Sequence, residues 1–268
     1  MSEPLLRLTI FMAVLLLLLS WESLRPQRPW QQPRGRHLLT NFGLLLVDVL
    51  VQRFTLGAAA IVAAVYARQQ GWGLMPLLPL PASLLTVVGI ILLDLAIYGQ
   101  HVLSHRLGWL WRLHRVHHSD LDLDASTALR FHPLEILLSL LYKVLVVMLL
   151  GVSPAVVLWF EVLLNSAALF NHANIRLPVR LERPLRWLVV TPAMHRVHHS
   201  VHAEETHSNF GFMLSCWDRL FATYRAQPQD GHEAMALGLP QYRRVLGVRA
   251  LLLQPFRANH ETTAGRRP

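Results

Sequence analysis

Histidine is the residue type on which any chemistry of this sequence must depend. The 268-residue chain holds 15 histidines and a single cysteine, Cys216, so an internal disulfide and a cysteine-based zinc site are both excluded. Nine histidines follow the pattern HxxxH, HxxHH, a lone histidine, and HxxHH. They are His101 and His105; His114, His117 and His118; His172; and His195, His198 and His199.

The spacing within each cluster suits a helix. Residues three and four positions apart share a helix face, so each cluster can direct two or three imidazoles to one point. Imidazole is a good ligand for zinc, copper, iron and nickel. Both HxxHH clusters read His-Arg-Val-His-His-Ser, while their flanks differ, which indicates a recurring site motif and not a duplicated domain. We therefore predict more than one transition-metal ion.

Three further histidines, His132, His202 and His207, stand near the clusters in sequence. Metal-bound imidazoles usually donate their second N–H to a carboxylate or a carbonyl. We expect each of the three to be either an additional ligand or such a hydrogen-bonding neighbour. For the isolated histidines His37 and His232, and for His260, we expect a satisfied or exposed side chain.

Carboxylates on the same helical stripes are candidates for the hydrogen-bonding role. Asp94 is in register with His101 and His105, and Glu161 and Asn165 are in register with His172. An ionisable residue in a membrane helix is functional by default, although a helix–helix hydrogen bond is an equally common explanation. We predict that Asp94 orients a metal-bound imidazole of another cluster, or pairs with a basic residue, without binding metal.

The elements that must position these residues are apolar. Apolar residues make up 53% of the chain and charged residues only 15%, against about a quarter in soluble domains. About 20 apolar residues span a bilayer as a helix. Five runs are candidates: 4–21, 42–67, 84–100, 134–150 and 154–170. The first is predicted to be a retained anchor, and the last two, joined by residues 151–153, an antiparallel hairpin.

The net charge of +9 is concentrated between and after the apolar runs. This is the positive-inside pattern of membrane proteins, and no helix-turn-helix or zinc-finger spacing supports binding of nucleic acid. The arginines of residues 25–36 predict a cytoplasmic first loop, with all histidine clusters on that side and the two termini on opposite sides. Lys143, inside the fourth run, is expected to snorkel or to pair with a carboxylate.

The order of motifs over residues 90–225 resembles the sterol desaturase / fatty acid hydroxylase superfamily. The resemblance rests on the three histidine clusters, Phe-His-Pro-Leu-Glu at 131–135, His-Ala-Asn at 172–174, Asn-Phe-Gly at 209–211 and Trp-Asp-Arg-Leu-Phe at 217–221. It implies an integral membrane diiron oxygenase with the nine histidines at iron-ligand positions. Some members have a histidine where this chain has Ala168, so a tenth ligand is absent or comes from His132, His202 or His207.

The resemblance implies an all-α integral membrane bundle of four to five apolar helices, with a cytoplasmic histidine-rich helical cap that holds the metals. We divide the chain into 1–90, membrane anchor helices and a basic loop; 91–225, the catalytic domain; and 226–268, a cytoplasmic tail. The expected location is the bacterial inner membrane.

The implied activity is O2-dependent oxidation of a lipid drawn from the bilayer, with two iron ions (Fe2+/Fe3+) and no catalytic residue beyond the ligands. Hydroxylation is favoured over desaturation, and the lipid stays open. Electrons must come from an external ferredoxin or b-type cytochrome with its reductase, because the chain lacks a Gly-x-Gly-x-x-Gly fingerprint. The alternative is a membrane metal-binding or transport protein, although transporters place their ligands near the bilayer midplane.

Overall fold

The computed structural model describes residues 2–257, and within that range the regular elements are helices joined by loops and turns. Within that range three isolated bridges occur and no strand forms, as predicted. His260 lies outside the described residues. The helices are α1 (Glu3–Leu24), α2 (Arg34–Thr55), α3 (Ala59–Gln70), α4 (Ala82–Arg106), α5 (Gly108–His118), α6 (Pro133–Leu150), α7 (Pro154–His172), α8 (Val179–Leu188), α9 (Pro192–His198), α10 (Ala203–Thr206), α11 (Cys216–Leu220), α12 (Gly231–Ala234) and α13 (Val248–Leu253).

Five segments are long and apolar enough to cross a membrane. They are α1, the 44-residue stretch from α2 through α3 to Leu77, α4, α6 and α7. Their outer faces carry exposed leucines, such as Leu17 at 65% and Leu149 at 60% exposure. Lipid contact explains this exposure, because apolar side chains on a membrane bundle face hydrocarbon and not water. The prediction of a membrane bundle is therefore confirmed.

The second apolar run is not one helix, which corrects its predicted continuity over residues 42–67. α2 ends at Thr55 and α3 begins at Ala59. Gly57 between them has φ +50°, a left-handed conformation that only glycine adopts without steric cost. The carbonyl of Gln52 accepts hydrogen bonds from both Leu56 N and Gly57 N. These two bonds end the helical hydrogen-bond pattern of α2 at the break.

The short link between α6 and α7 forms as predicted, but the two helices do not pack along each other, because α3 and α4 each contact both of them. Gly151 ends α6 in the left-handed conformation, and the Ser153 side chain caps the first turn of α7. A Cβ on Gly151 would lie 2.1 Å from the carbonyl oxygen of Trp72, so only glycine lets the chain after α3 approach this link. Leu74 N donates to the carbonyl of Leu149 at 3.1 Å, which secures this end of the bundle.

All five membrane segments present one end to a common cap. The cap-side ends carry Glu22 in α1, His37 in α2, His101 in α4, Glu135 in α6 and His172 in α7. The Glu22 carboxylate accepts backbone N–H groups of Ala125 (2.7 Å) and Asn174 (2.9 Å), which joins α1 to the cap. The start of α1 thus lies at the opposite end of the bundle from the histidines.

Below the cap, small and large apolar side chains interlock. Ala60 and Ala64 of α3 pack with Leu93 of α4 and with Val157 and Phe160 of α7. Alanine allows close helix approach in membranes, where packing and not water exclusion drives helix association. This core fixes α4 relative to α7, the two membrane helices that carry clustered histidines at their cap ends.

Candidate metal centre

The nine predicted histidines come together as two groups at the cap. In each group the candidate ligand nitrogens all lie within 4.8 Å of one another, and every member is buried. The five-histidine group comprises His101, His105, His114, His118 and His198. The four-histidine group comprises His117, His172, His195 and His199.

Each HxxHH cluster contributes to both groups. In α5 the i, i+4 pair, His114 and His118, belongs to the five-histidine group, while the intervening His117 faces the other. Around α9 the assignment reverses: the i, i+4 pair belongs to the four-histidine group, and His198 joins the five-histidine group. The two groups therefore lie side by side, with α5 and the region around α9 supplying histidines to both. Imidazoles of the two groups are in contact: the ring centroids of His118 and His199 are 4.6 Å apart.

Hydrogen bonds at Nδ1 orient four of the rings. Nδ1 of His101 donates to the carbonyl of Phe210 (2.7 Å), and that of His198 to the carbonyl of Ser208 (2.6 Å). Nδ1 of His172 donates to the carbonyl of Ala168 at 2.7 Å. A carbonyl only accepts, so in these rings the proton is on Nδ1 and Nε2 keeps a lone pair.

The fourth oriented ring is His114, whose Nδ1 lies 2.6 Å from Oε1 of Glu135 in the first turn of α6. A carboxylate behind a metal-bound imidazole fixes its tautomer and raises its basicity. Sequence reasoning did not single out Glu135. Its position three residues after His132 in a motif next to the clusters is the signal that could have pointed to it.

The remaining nitrogens fit metal ions. Nε2 of His101, His114 and His198 is buried and has no hydrogen-bond partner among residues 2–257. In the four-histidine group, Nε2 of His172 lies 3.1 Å from Nε2 of both His117 and His195. Converging lone pairs in a dry site are costly unless a cation satisfies them, because a buried unpaired polar atom loses its hydration.

Burial favours the neutral imidazole at several of the clustered histidines. It lowers the pKa of His117 and His195 well below the ordinary value for histidine, and the neighbouring His172 adds to the effect. Burial also lowers the pKa of His118, with His199 next in effect. Neutral imidazole is the form that coordinates a metal, so the electrostatics favour ligation over protonation.

The structure corrects the prediction for Asp94. Its carboxylate accepts hydrogen bonds from Met213 N (3.3 Å), Leu214 N (3.1 Å) and Trp217 Nε1 (2.8 Å), and no histidine within residues 2–257 is among its hydrogen-bond partners. Seven residues of helix, about 10 Å, separate it from His101. Asp94 therefore fixes the chain just after Phe210, and it acts on His101 only through this loop.

Asp218 holds the other side of the same loop. It accepts backbone N–H groups of Phe210 (2.7 Å) and Gly211 (2.9 Å) and the hydroxyl of Thr223 (2.7 Å). Burial raises the pKa of Asp218, while the Thr223 and loop hydrogen bonds oppose this shift. Two carboxylates thus fix the loop whose Phe210 carbonyl accepts from His101.

Glu161 and Asn165 also differ from prediction. Glu161 pairs with Lys143 (2.8 Å) and with Arg7, well inside the bundle, and none of the described histidines is its partner. Eleven residues of α7 separate it from His172, about 16 Å along the axis. The expected pairing of Lys143 with a carboxylate is confirmed. Asn165 lines a cavity beside this ion pair.

None of the three additional histidines joins either group. His132 caps α6 through Leu134 N and lies 3.2 Å from the carbonyl of Leu252, and His202 pairs with Asp230 at 2.7 Å on the surface. His207 comes nearest, with its ring centroid 5.5 Å from that of His105.

His37 is buried and satisfied, as expected. It lies 2.7 Å from Asp120 and 3.3 Å from Asp124. Burial alone would raise the pKa of Asp120, but His37 and Arg130 hold it below its usual value. His232 differs from expectation: it is half-buried, and neither ring nitrogen has a hydrogen-bond partner among the described residues.

A cavity of about 340 Å³ opens from the five-histidine group into the bundle. His101, His114 and Phe212 line its cap end, and Arg7, Lys143 and Glu161 line the inner part. Among residues 2–257, its lining includes no member of the four-histidine group. A molecule in this cavity would therefore meet one group only.

Comparison with known proteins gives consistent matches. The fatty acid hydroxylase family model matches residues 86–223, about half of the chain. Ornithine lipid hydroxylase OlsE of Rhizobium tropici is 26% identical over 269 residues, covering 97% of this chain and 78% of that protein. Human alkylglycerol monooxygenase is 31% identical over 135 residues, which cover 50% of this chain and 29% of the human protein.

Cholesterol 25-hydroxylase of Rattus norvegicus is 27% identical over 208 residues, which cover 74% of this chain and 64% of that protein. Among solved structures there is no significant match. The matched region, residues 86–223, contains all nine clustered histidines and the loop around Phe210.

Proposed function

Because the chain belongs to the fatty acid hydroxylase family, we propose that its two histidine groups each hold one iron ion and that the pair oxidises a C–H bond of a membrane lipid. The observation that carries the proposal is the convergence of nine buried imidazoles as five and four. Hydroxylation is favoured over desaturation, because the relatives named above are hydroxylases and a monooxygenase.

The enzyme class rests on the family and on these relatives: the chain is a membrane enzyme of the lipid hydroxylase type. Ornithine lipid, alkylglycerol and cholesterol appear in the relatives' names. All three are amphipathic lipids, so the proposed substrate of this chain is a lipid that enters from the bilayer. We keep the division into 1–90, 91–225 and 226–268 as part of the proposal.

Two irons held here would supply O2 activation, with one oxygen atom entering the substrate, the other leaving as water, and two electrons and two protons consumed. The chain's own part is to hold and orient the ligands. Carbonyls of Phe210, Ser208 and Ala168 and the Glu135 carboxylate fix four rings through Nδ1. The buried cap excludes water, which protects a reactive site from side reactions.

The two electrons require an external donor, which we propose to be a ferredoxin or a b-type cytochrome with its reductase. A groove of about 1160 Å³ next to α8 and α9 has a lining of net positive charge, with three carboxylates, Glu182, Asp230 and Glu233, and five arginines, Arg176, Arg183, Arg186, Arg196 and Arg219. A positive surface of this kind steers an acidic partner to the site. Arg196 lines the groove and directly follows His195 in α9, so an acidic redox protein docked there would approach the four-histidine group.

We propose the bacterial inner membrane as the location, with the cap on the cytoplasmic side. The basic loop before α2 and the arginine-rich region after α7 support this orientation by the positive-inside pattern. The OlsE relative is a bacterial protein.

The test is lipid mass spectrometry of cells expressing the chain or its His172→Ala variant, combined with elemental analysis of purified protein. We expect a lipid 16 mass units heavier with the wild type only, and about two iron ions per chain. A loss of 2 mass units would indicate desaturation. Bound metal without any lipid change, under supply of a reduced donor, would favour the metal-binding alternative.

A further inference from the structure

The cavity at the five-histidine group is more polar than a hydrocarbon chain requires. Eleven of its 19 lining residues carry polar or charged side chains: Arg7, Gln52, Gln100, His101, Ser104, His114, Glu135, Ser139, Lys143, Glu161 and Asn165. An acyl chain filling this space would offer these groups no hydrogen bond while removing them from water, which costs free energy. The lining therefore favours a ligand with polar atoms.

Lys143 is the most informative of these residues. The 25 basic residues of the chain include this one lysine, and all the others are arginine. Its ammonium group has three N–H donors and, among residues 2–257, makes one hydrogen bond, to Glu161. It is partly buried, with 17% side-chain exposure. Two donors thus remain free on a cation that lines the cavity.

The cations of the cavity lie at its inner end. They are Arg7 and Lys143, which both pair with Glu161, whereas the second lining carboxylate, Glu135, contacts His114 at the cap end. Glu3 pairs with Arg7 from outside the cavity and is well exposed. Nε of Arg7 is buried and has no hydrogen-bond partner among the described residues. An anionic group here would use donors that the protein leaves unpaired.

The distance to the histidines limits which carbon can react. Glu135, which holds His114, and Lys143 both line the cavity from α6, eight residues apart. That separation is about 12 Å along the helix axis. A ligand with its anionic group at Lys143 has room for roughly eight carbon–carbon bonds of about 1.5 Å before it reaches the histidines.

Resting on the function proposed above, we infer that the cavity binds the polar end of an anionic or zwitterionic lipid, with Lys143 contacting its carboxylate or phosphate. Oxidation then falls on the headgroup or on the first few acyl carbons. The distal half of the acyl chain stays outside the cavity, among the exposed apolar faces of the bundle.

The direct test uses the single lysine. Biosynthetic incorporation of 13C-lysine labels Lys143 alone and leaves its positive charge and its three N–H donors unchanged. We expect the Lys143 Cε resonance to shift when iron-loaded protein in neutral detergent receives ornithine lipid, a carboxylate source, or phosphatidylglycerol, a phosphate source, while diacylglycerol leaves it unchanged. Diacylglycerol is the control because it has no charged group. Absence of any shift, or an equal shift with diacylglycerol, would overturn the inference.

Kinetics provide the second test. Lys143→Met should raise KM roughly 10- to 100-fold for the lipid that shifts the resonance, as expected for loss of a charged hydrogen bond, with a smaller change in kcat. Lys143→Arg should restore most of the loss. Arg53→Met is the matched control, because it removes an exposed cation of α2 that does not line the cavity. An unchanged KM in Lys143→Met contradicts the inference.

Fragment mass spectrometry of the product separates this inference from the proposed function. An increase of 16 mass units in the headgroup fragment or in the proximal acyl fragment supports both the proposed function and the proposed binding mode. The same increment in the distal half of the chain leaves a lipid hydroxylase but refutes the binding mode. If no lipid gains oxygen while the resonance still shifts, the proposed activity fails and the binding site stands.

Discussion

The five- and four-histidine groups are built from the same motifs but face different surroundings. The five-histidine group borders the cavity. Three of its rings are oriented through Nδ1 by the Phe210 carbonyl, the Ser208 carbonyl and the Glu135 carboxylate. The four-histidine group is closed. Phe131 stacks on His117 at 4.6 Å, and the only carbonyl holding a ring of this group through Nδ1, among the described residues, belongs to Ala168 of α7 itself.

We infer from this difference that the two histidine groups have different roles. The group that borders the cavity can face the substrate. Loss of one imidazole leaves four in this open group but only three in the closed group, so we expect the closed group to be more sensitive to the loss of a ligand. The following predictions test this asymmetry.

The largest effect is expected from His172→Ala. It leaves three imidazoles in the closed group, so bound iron should fall from about two ions to about one and turnover should be lost. His105→Ala leaves four imidazoles in the open group and should retain most of the second ion. Elemental analysis of both variants measures the difference, with His202→Ala as a surface control. Equal iron loss in both would show that ligand number does not distinguish the groups.

Glu135→Gln should act on the open group alone. The amide can still accept from His114, but it no longer carries the charge that raises the basicity of that imidazole. Loss of such a partner costs 10- to 100-fold in metal affinity or activity. Iron titration should therefore show one weakened and one unaffected site. Weakening of both sites to the same degree would mean that the groups behave as one unit.

Asp94→Asn should lower stability more than metal content. The carboxylate accepts three N–H groups from the loop after Phe210, and an amide cannot serve all of them. We expect a loss of about 1–3 kcal/mol in the free energy of unfolding. Thermal unfolding in detergent, read beside iron content, tests this. Iron loss as complete as in His172→Ala would make Asp94 part of the metal site after all.

The smallest effect is expected at the surface pair of His202 and Asp230. The hydrogen bond that His202 donates to Asp230 raises the pKa of His202, so the charged pair is complete below the ordinary histidine pKa and is lost as pH rises through the raised value. Asp230→Asn should bring that pKa back down without changing iron content. An NMR titration of the His202 ring, identified by its absence in His202→Gln, measures the shift.

The sequence alone determined the class of fold and the candidate ligands. Apolar runs of membrane length predicted the membrane-spanning segments, because helix length must match bilayer thickness. Histidines at helical spacing identified the nine side chains that the cap brings together. The break between α2 and α3 was missed, because a single Gly57 at positive φ interrupts an otherwise apolar run.

Only the tertiary structure decided which partner each polar residue has. Helical register places Asp94 and Glu161 on the same helix faces as histidines, but it does not say how far apart the side chains are. Each carboxylate binds donors that lie closer than any clustered histidine. Asp94 accepts from loop amides, and Glu161 pairs with Lys143 and Arg7. Glu135 meets His114 because α5 and α6 pack side by side at the cap. The division of nine imidazoles into five and four likewise depends on how helices distant in sequence are set against one another, which spacing along the chain does not encode.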